Sequence, residues 1–86
     1  MSPNKQKDVA LACYAVVSGM FARMNNPKNR GPNFTWSKFP DMMAEKCEVE
    51  IFIYVNRGRF SIDDIKSYAG KCGMEIATTL VSHLEK

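Results

Sequence analysis

The chain has 86 residues, a length that predicts one domain, residues 1–86, able to fold alone with a narrow margin of stability. Apolar residues make up 45% of the sequence, which is typical of globular proteins and argues against disorder. No apolar run approaches the roughly 20 residues needed to cross a bilayer, and the first residues lack the pattern of a secretion signal. We therefore expect a cytoplasmic protein with no membrane contact. The net charge of +3 is too small to identify a partner.

The cysteine pattern agrees with a reducing compartment. Cys13, Cys47 and Cys72 are odd in number and widely spaced, so they do not resemble a disulfide framework. A zinc site made from them and His83 would lack a closely spaced ligand pair. The single histidine and the lack of a glycine-rich phosphate loop also argue against catalysis. We expect a protein that is not an enzyme and that needs no metal or cofactor.

The first predicted element is a helix over residues 4–25, in which apolar residues recur at helical spacing. Its apolar positions are Val9, Cys13, Val16, Val17, Met20 and Met24. Tyr14 and Phe21 widen the apolar face beyond what one small core needs. Two interpretations remain open: the two rings are half-buried on the monomer, or they contact a second chain.

A loop follows over residues 26–34, where two prolines, a glycine and several asparagines interrupt the periodicity. Basic and aromatic residues are interleaved in and after this loop: Lys28, Arg30, Phe34, Trp36, Lys38 and Phe39. This composition suits phosphate contacts combined with base stacking. The alternative is a solvated loop whose aromatic side chains pack back on the core.

Residues 40–56 fit two secondary structures. The alternating β-branched and aromatic residues over 48–55 are typical of a strand, which would make the fold α+β. As a helix, the segment places Met43, Cys47, Ile51 and Tyr54 on one face and the acidic residues Asp41, Glu45 and Glu48 on another. These acidic residues lie in the early turns, where the helix dipole favours them. A strand here would have no long neighbour to pair with, so we predict a helix over 40–56.

A further helix is predicted to start at Ser61. The Ser61 hydroxyl and the Asp64 carboxylate form a capping box, and Phe60 is placed to pack on Ile65 as a hydrophobic staple. The capping box satisfies backbone N–H groups in the first turn of a helix, and the staple shields that turn. Both therefore predict the same starting point.

Two glycines then predict a break in this helix. Gly70 and Gly73 each weaken a helix interior by roughly 1 kcal/mol. We therefore predict two helices, over residues 61–72 and 74–85, that meet in a turn at Gly73. Together with the helices before them, they predict an all-α domain of three to four helices with a helix-turn-helix-like unit at its C-terminal end.

The second half of the chain has a distinctive set of apolar and small residues: Ile65, Tyr68, Ala69, Gly73, Met74, Leu80 and Leu84. With these residues it resembles the helix-turn-helix family of DNA-binding domains, in particular its winged-helix members. Ala69 and Gly73 have the family's spacing of a small residue and a turn glycine. The resemblance implies that the last helix contacts DNA. Two departures stand against it: no wing follows this helix up to Lys86, and the helix contains no arginine for bidentate guanine contacts.

These features predict a small DNA-binding regulator of transcription, dimeric because one short recognition helix binds weakly alone. The predicted nucleic-acid contacts are Lys28, Arg30, Lys38, Arg57, Arg59, Lys71, Thr78, Thr79, Ser82 and His83. The alternative is a regulatory or inhibitory module that binds a protein target through an exposed apolar surface formed by Tyr14, Phe21 and Trp36.

Overall fold

The computed structural model describes the backbone of residues 3–56 and 62–84 and the side chains of residues 4–51 and 65–84. These residues form three α-helices and no strand: α1 is Pro3–Met24, α2 is Phe39–Asn56 and α3 is Ile62–Leu84. Single 3₁₀ turns at Pro27–Asn29 and Trp36–Lys38 lie between α1 and α2. The prediction of an all-α domain is confirmed.

Some predictions fall outside the described residues. The cap at Ser61 and its staple residue Phe60 lie there, as do the predicted nucleic-acid contacts Arg57 and Arg59. The helix that the cap was expected to start begins at Ile62 in the structure.

α2 is a helix because its apolar residues recur every four positions rather than every two. Met43, Cys47 and Ile51 are each at most 3% exposed, whereas Val49 is 64% exposed. A strand would place Val49 and Ile51 on the same face, but in the structure one faces solvent and the other faces the core. The alternative of a strand over 48–55 is therefore wrong.

α3 is one continuous helix of 23 residues. The predicted turn at Gly73, which divided this segment into helices over 61–72 and 74–85, is therefore wrong. The two-helix unit implied by the helix-turn-helix resemblance does not form within Ile62–Leu84. The resemblance itself stays a prediction.

The glycines of α3 lie where α2 approaches it most closely. A Cβ atom on Gly73 would stand 2.7 Å from the Cys47 sulfur and 2.7 Å from the Met43 carbonyl oxygen, well inside van der Waals contact. A Cβ atom on Gly70 would meet the Glu48 carboxylate at 2.5 Å. Because the two helices pack closely at these positions, the packing offsets the roughly 1 kcal/mol that each glycine costs a helix interior.

Contacts between the helices show which of them run parallel and which antiparallel. Cys13 of α1 contacts Cys47 of α2, and Phe21 contacts Phe39 where α1 ends and α2 begins, so α1 and α2 are antiparallel. The glycine contacts of α3 run in reverse order along α2, so these two helices are antiparallel as well. α1 and α3 are therefore parallel, and both end near the loop that joins α1 to α2.

The core lies between the three helices, and no polar or charged residue is buried among those described. Its buried residues are Val9, Cys13, Val17, Phe39, Met43, Cys47, Ile51, Ile65, Ala69 and Ala77. None of the described helices is long and apolar enough to cross a membrane.

Candidate functional site

The aromatic side chains of the first loop form a cluster around Phe39, which is completely buried. Trp36 lies at the middle of this cluster, with its ring centroid 5.3 Å from that of Phe21, 5.0 Å from that of Phe34 and 5.2 Å from that of Phe39. The interpretation that these side chains pack back on the core is confirmed. Phe21 and Trp36, two of the three residues expected on a protein-binding surface, are therefore partly buried in contacts within the chain.

Arg30 joins this cluster to the end of α1. Its Nε donates a hydrogen bond to the Met24 carbonyl oxygen at 2.5 Å, and Nη2 donates to the Asn25 carbonyl oxygen at 3.4 Å. The guanidinium carbon also lies 5.4 Å from the Trp36 ring centroid and 5.9 Å from that of Phe34. A cation that donates to the last carbonyl groups of a helix stabilises its end. Arg30 thus stabilises the end of α1, and its predicted contact with nucleic acid stays a prediction.

The other predicted nucleic-acid contacts that the structure describes have exposed side chains: Lys28, Lys38, Lys71, Thr78, Thr79, Ser82 and His83. The hydroxyl groups of Thr78 and Thr79 donate to carbonyl groups one turn earlier in α3, at 2.8 and 3.0 Å, and that of Ser82 donates to the Thr79 carbonyl oxygen at 2.6 Å. These hydroxyl groups keep only their acceptor capacity for a ligand. Phosphate and most base-edge contacts need donors.

The loop end of the bundle brings some of these residues to the same region. Lys28 and Lys38 lie in the connection between α1 and α2, and the C-terminal half of α3 points toward the same end. Asp41 and Glu45 of α2 are also exposed near this end. The region therefore carries both signs of charge rather than a basic face.

The outer face of α1 is the second candidate surface. Leu11 is 59% exposed and Tyr14 is 56% exposed. Between Asp8 and Arg23 the sequence has no charged residue, so the solvent-facing side of α1 is uncharged over about four turns. A solvent-exposed helix face normally carries charged residues. Of this surface, only Tyr14 was predicted from the sequence, although the charge-free run is visible there.

Small residues continue the same face toward the end of α1. Leu11, Ala15 and Gly19 are spaced four residues apart and all three are exposed. A Cβ atom on Gly19 would meet nothing within 4 Å, so the fold of the single chain gives no steric reason for a glycine here. Beside this face, Tyr14 borders a shallow groove between α1 and α3 whose other lining residues are Glu75, Ile76, Thr79 and Leu80.

The three thiols lie on the inner side of the helices. A hydrogen bond to Cys47 and burial raise the pKa of Cys13, and the same hydrogen bond lowers the pKa of Cys47. Burial raises the pKa of Cys72, whose hydrogen bond with the Tyr68 hydroxyl raises the pKa of that phenol. The described residues contain no group of three side chains placed to bind a metal ion.

Two surfaces thus compete as the functional site. One is the uncharged outer face of α1, and the other is the mixed-charge region formed by the loop lysines and the polar side of α3. The chain matches no family model, and no curated protein or solved structure is detectably similar to it.

Proposed function

We propose that this protein is a small, non-enzymatic protein-binding module of the regulatory kind, which acts through the outer face of α1. The observation that carries the proposal is the exposure of Leu11 and Tyr14, both more than half exposed, on a face without charge. Exposed apolar surface that is contiguous marks interaction sites on soluble proteins. A helix face of this shape is complementary to another helix, whose ridge of side chains packs along it.

A second copy of the chain is the partner that this face fits. If two α1 helices pair in opposite directions about Ala15, Leu11 of each copy lies opposite Gly19 of the other, where the absent side chain leaves room for it. The same pairing places Arg23 of one copy opposite Lys7 of the other and next to Asp8, so charges of both signs meet at each end of the face. In the part of the chain that the structure describes, neither Asp8 nor Arg23 forms an ion pair.

The size of the face predicts a weak dimer. The segment from Leu11 to Ala22 is about 17 Å long at 1.5 Å per residue. One helix face of this length buries less than the roughly 800 Å² per partner of a standard interface. We therefore expect dimers that form and dissociate with concentration, with Tyr14 and the neighbouring groove adding to the contact.

The oligomeric state of the full chain tests this proposal. Sedimentation analysis over a range of concentrations is expected to show a monomer–dimer equilibrium that shifts at least tenfold toward monomer in Leu11→Lys, because a buried lysine charge opposes pairing. Gly19→Leu is expected to shift the equilibrium toward monomer as well, because its side chain fills the space that Leu11 of the second copy would occupy. The open space at Gly19 leaves the monomer intact.

The matched control is Val49→Lys, which places a lysine on an equally exposed apolar position of α2, 64% against 59% for Leu11. It is expected to leave the equilibrium unchanged. A monomer at every concentration, or an equal effect of Leu11→Lys and Val49→Lys, would show that the outer face of α1 is not the dimer interface.

DNA binding is the second candidate function. It is supported by the exposed Lys28 and Lys38 at the end of the bundle toward which the polar residues of α3 point. Contacts of this kind would be mostly to phosphate and would weaken steeply with salt. Fluorescence anisotropy with a mixed-sequence duplex at low salt is expected to show binding that the double change Lys28→Glu, Lys38→Glu abolishes. An unchanged anisotropy with the unsubstituted chain at low salt would eliminate this candidate.

A further inference from the structure

Two cysteines from different helices meet inside the core. Cys13 of α1 is 2% exposed and Cys47 of α2 is 1% exposed. The Cys47 thiol donates to the Cys13 carbonyl oxygen, with the sulfur 4.0 Å from that oxygen, so the two residues are in direct contact between the helices. The Cys13 sulfur in turn lies 3.5 Å from the Ala69 carbonyl oxygen. The third cysteine, Cys72, lies on α3, is only partly buried and does not line the cavity that Cys13 and Cys47 share.

A small cavity between α1 and α2 is lined by both of these cysteines. It has a volume of about 50 Å³ and is lined by Ala12, Cys13, Val16, Cys47, Glu50 and Ile51. A cavity needs about 10–15 Å³ of this volume to hold one water molecule, so this one has room for a molecule as small as hydrogen peroxide. Burial usually makes a thiol inert because reagents do not reach it, and this cavity gives a small reagent a place beside both cysteines.

We propose that Cys13 and Cys47 form a dithiol that hydrogen peroxide oxidises to a disulfide, which joins α1 to α2. Cys13 and Cys47 are in contact across two packed helices and line the same cavity, so side-chain rotation is expected to bring the two sulfur atoms to bonding distance. The disulfide would close a loop that contains the whole connection between the two helices. The dithiol reacts with a small two-electron oxidant. Neither the dimer interface nor DNA binding is needed for this reaction.

The reaction balances in two steps. The Cys47 sulfur attacks one peroxide oxygen, so that an S–O bond forms, the O–O bond breaks, and the departing hydroxide leaves as water with the thiol proton. The Cys13 sulfur then attacks the Cys47 sulfur, so that the S–S bond forms, the S–O bond breaks, and hydroxide leaves as water with the Cys13 proton. Two thiols lose two electrons in total, and one peroxide becomes two waters.

Tryptic mapping of the full chain tests this directly, because each cysteine lies in a different tryptic peptide: residues 8–23, 47–57 and 72–86. The folded protein is treated with hydrogen peroxide, and the remaining thiols are then alkylated as the chain is denatured. We expect peptide 8–23 to be joined to peptide 47–57 and peptide 72–86 to be alkylated. The oxidised protein is also expected to melt roughly 10 °C higher than the reduced protein, because the bond constrains the unfolded chain.

The variant Cys72→Ser is expected to form the same cross-link, and Cys13→Ala is expected to form none. Since mapping of the unsubstituted chain needs no variant, the test stands even if a core substitution prevents folding. A cross-link that includes peptide 72–86 would overturn the proposal. So would oxygen addition to a cysteine without a cross-link, or alkylation of all three cysteines after peroxide treatment.

Discussion

Replacement of Phe39 by alanine is expected to lower the free energy of unfolding by about 3–5 kcal/mol, the range measured for buried phenylalanines in other proteins. Phe39 is completely buried. Its ring centroid lies 5.2 Å from that of Trp36 and 6.1 Å from that of Phe21. Removal of the ring leaves a cavity at the point where the loop packs on α1 and α2. We expect the loop and the ends of both helices to loosen together.

Urea denaturation followed by circular dichroism measures the loss, and the fluorescence of Trp36, the one tryptophan of the chain, reports on the cluster itself. If Phe39→Ala does not fold, Phe39→Leu, which keeps most of the apolar volume, is expected to fold with a smaller loss. The control is Val49→Ala, at a position 64% exposed, which is expected to change the stability by less than about 0.5 kcal/mol. Equal losses in the two alanine variants would contradict the central place of Phe39 in the core.

The second large effect is expected for Gly73→Ala, which should destabilise the protein by about 1–3 kcal/mol because it overpacks the contact between α2 and α3. On helix propensity alone the same change would stabilise α3 by roughly 1 kcal/mol. The new Cβ atom would lie 2.7 Å from the Met43 carbonyl oxygen, which belongs to the backbone of α2 and does not move without moving the helix. The steric cost should therefore exceed the gain in propensity.

Gly19→Ala provides the matched comparison for this substitution. Gly19 is also inside a helix, but a Cβ atom there meets nothing within 4 Å, so alanine is expected to stabilise the monomer by roughly 1 kcal/mol. Gly70→Ala should fall between the two, because the neighbouring Glu48 side chain is flexible and can move aside. Midpoints of urea denaturation at low protein concentration measure all three. A shift of the same sign for Gly19→Ala and Gly73→Ala would show that propensity, and not helix packing, governs Gly73.

The comparison of these two glycines explains why the turn in α3 was predicted wrongly. In sequence, a glycine in a helical segment signals a weak point, whether it serves a turn or a close helix contact. The two uses differ only in what stands opposite the glycine. For Gly73 this is Cys47 and Met43, which are 26 and 30 positions earlier in the chain, and no local pattern contains that information.

Some roles of the candidate-site residues could not be predicted from the sequence, for a related reason. Arg30 was selected as a cation beside aromatic residues, and that composition suits a phosphate site and a helix cap equally well. Its hydrogen bonds to Met24 and Asn25 show the capping role, and its nucleic-acid contact stays a prediction. The pairing of Cys13 with Cys47 was not predicted at all, because wide spacing in sequence says nothing about two residues in the middle of antiparallel helices.

By itself, the sequence determined that the chain is helical, where α1 and α2 lie within a residue, and which face of α2 is buried. These properties follow from the spacing of apolar residues within each segment, because each helix buries one face of its own side chains. That spacing can be read from the segment alone. Only the tertiary structure decided that α3 is unbroken, that Arg30 belongs to the fold, and that the outer face of α1 is left uncovered. Each of these depends on which surface another helix occupies, and that is settled by packing between residues distant in the chain.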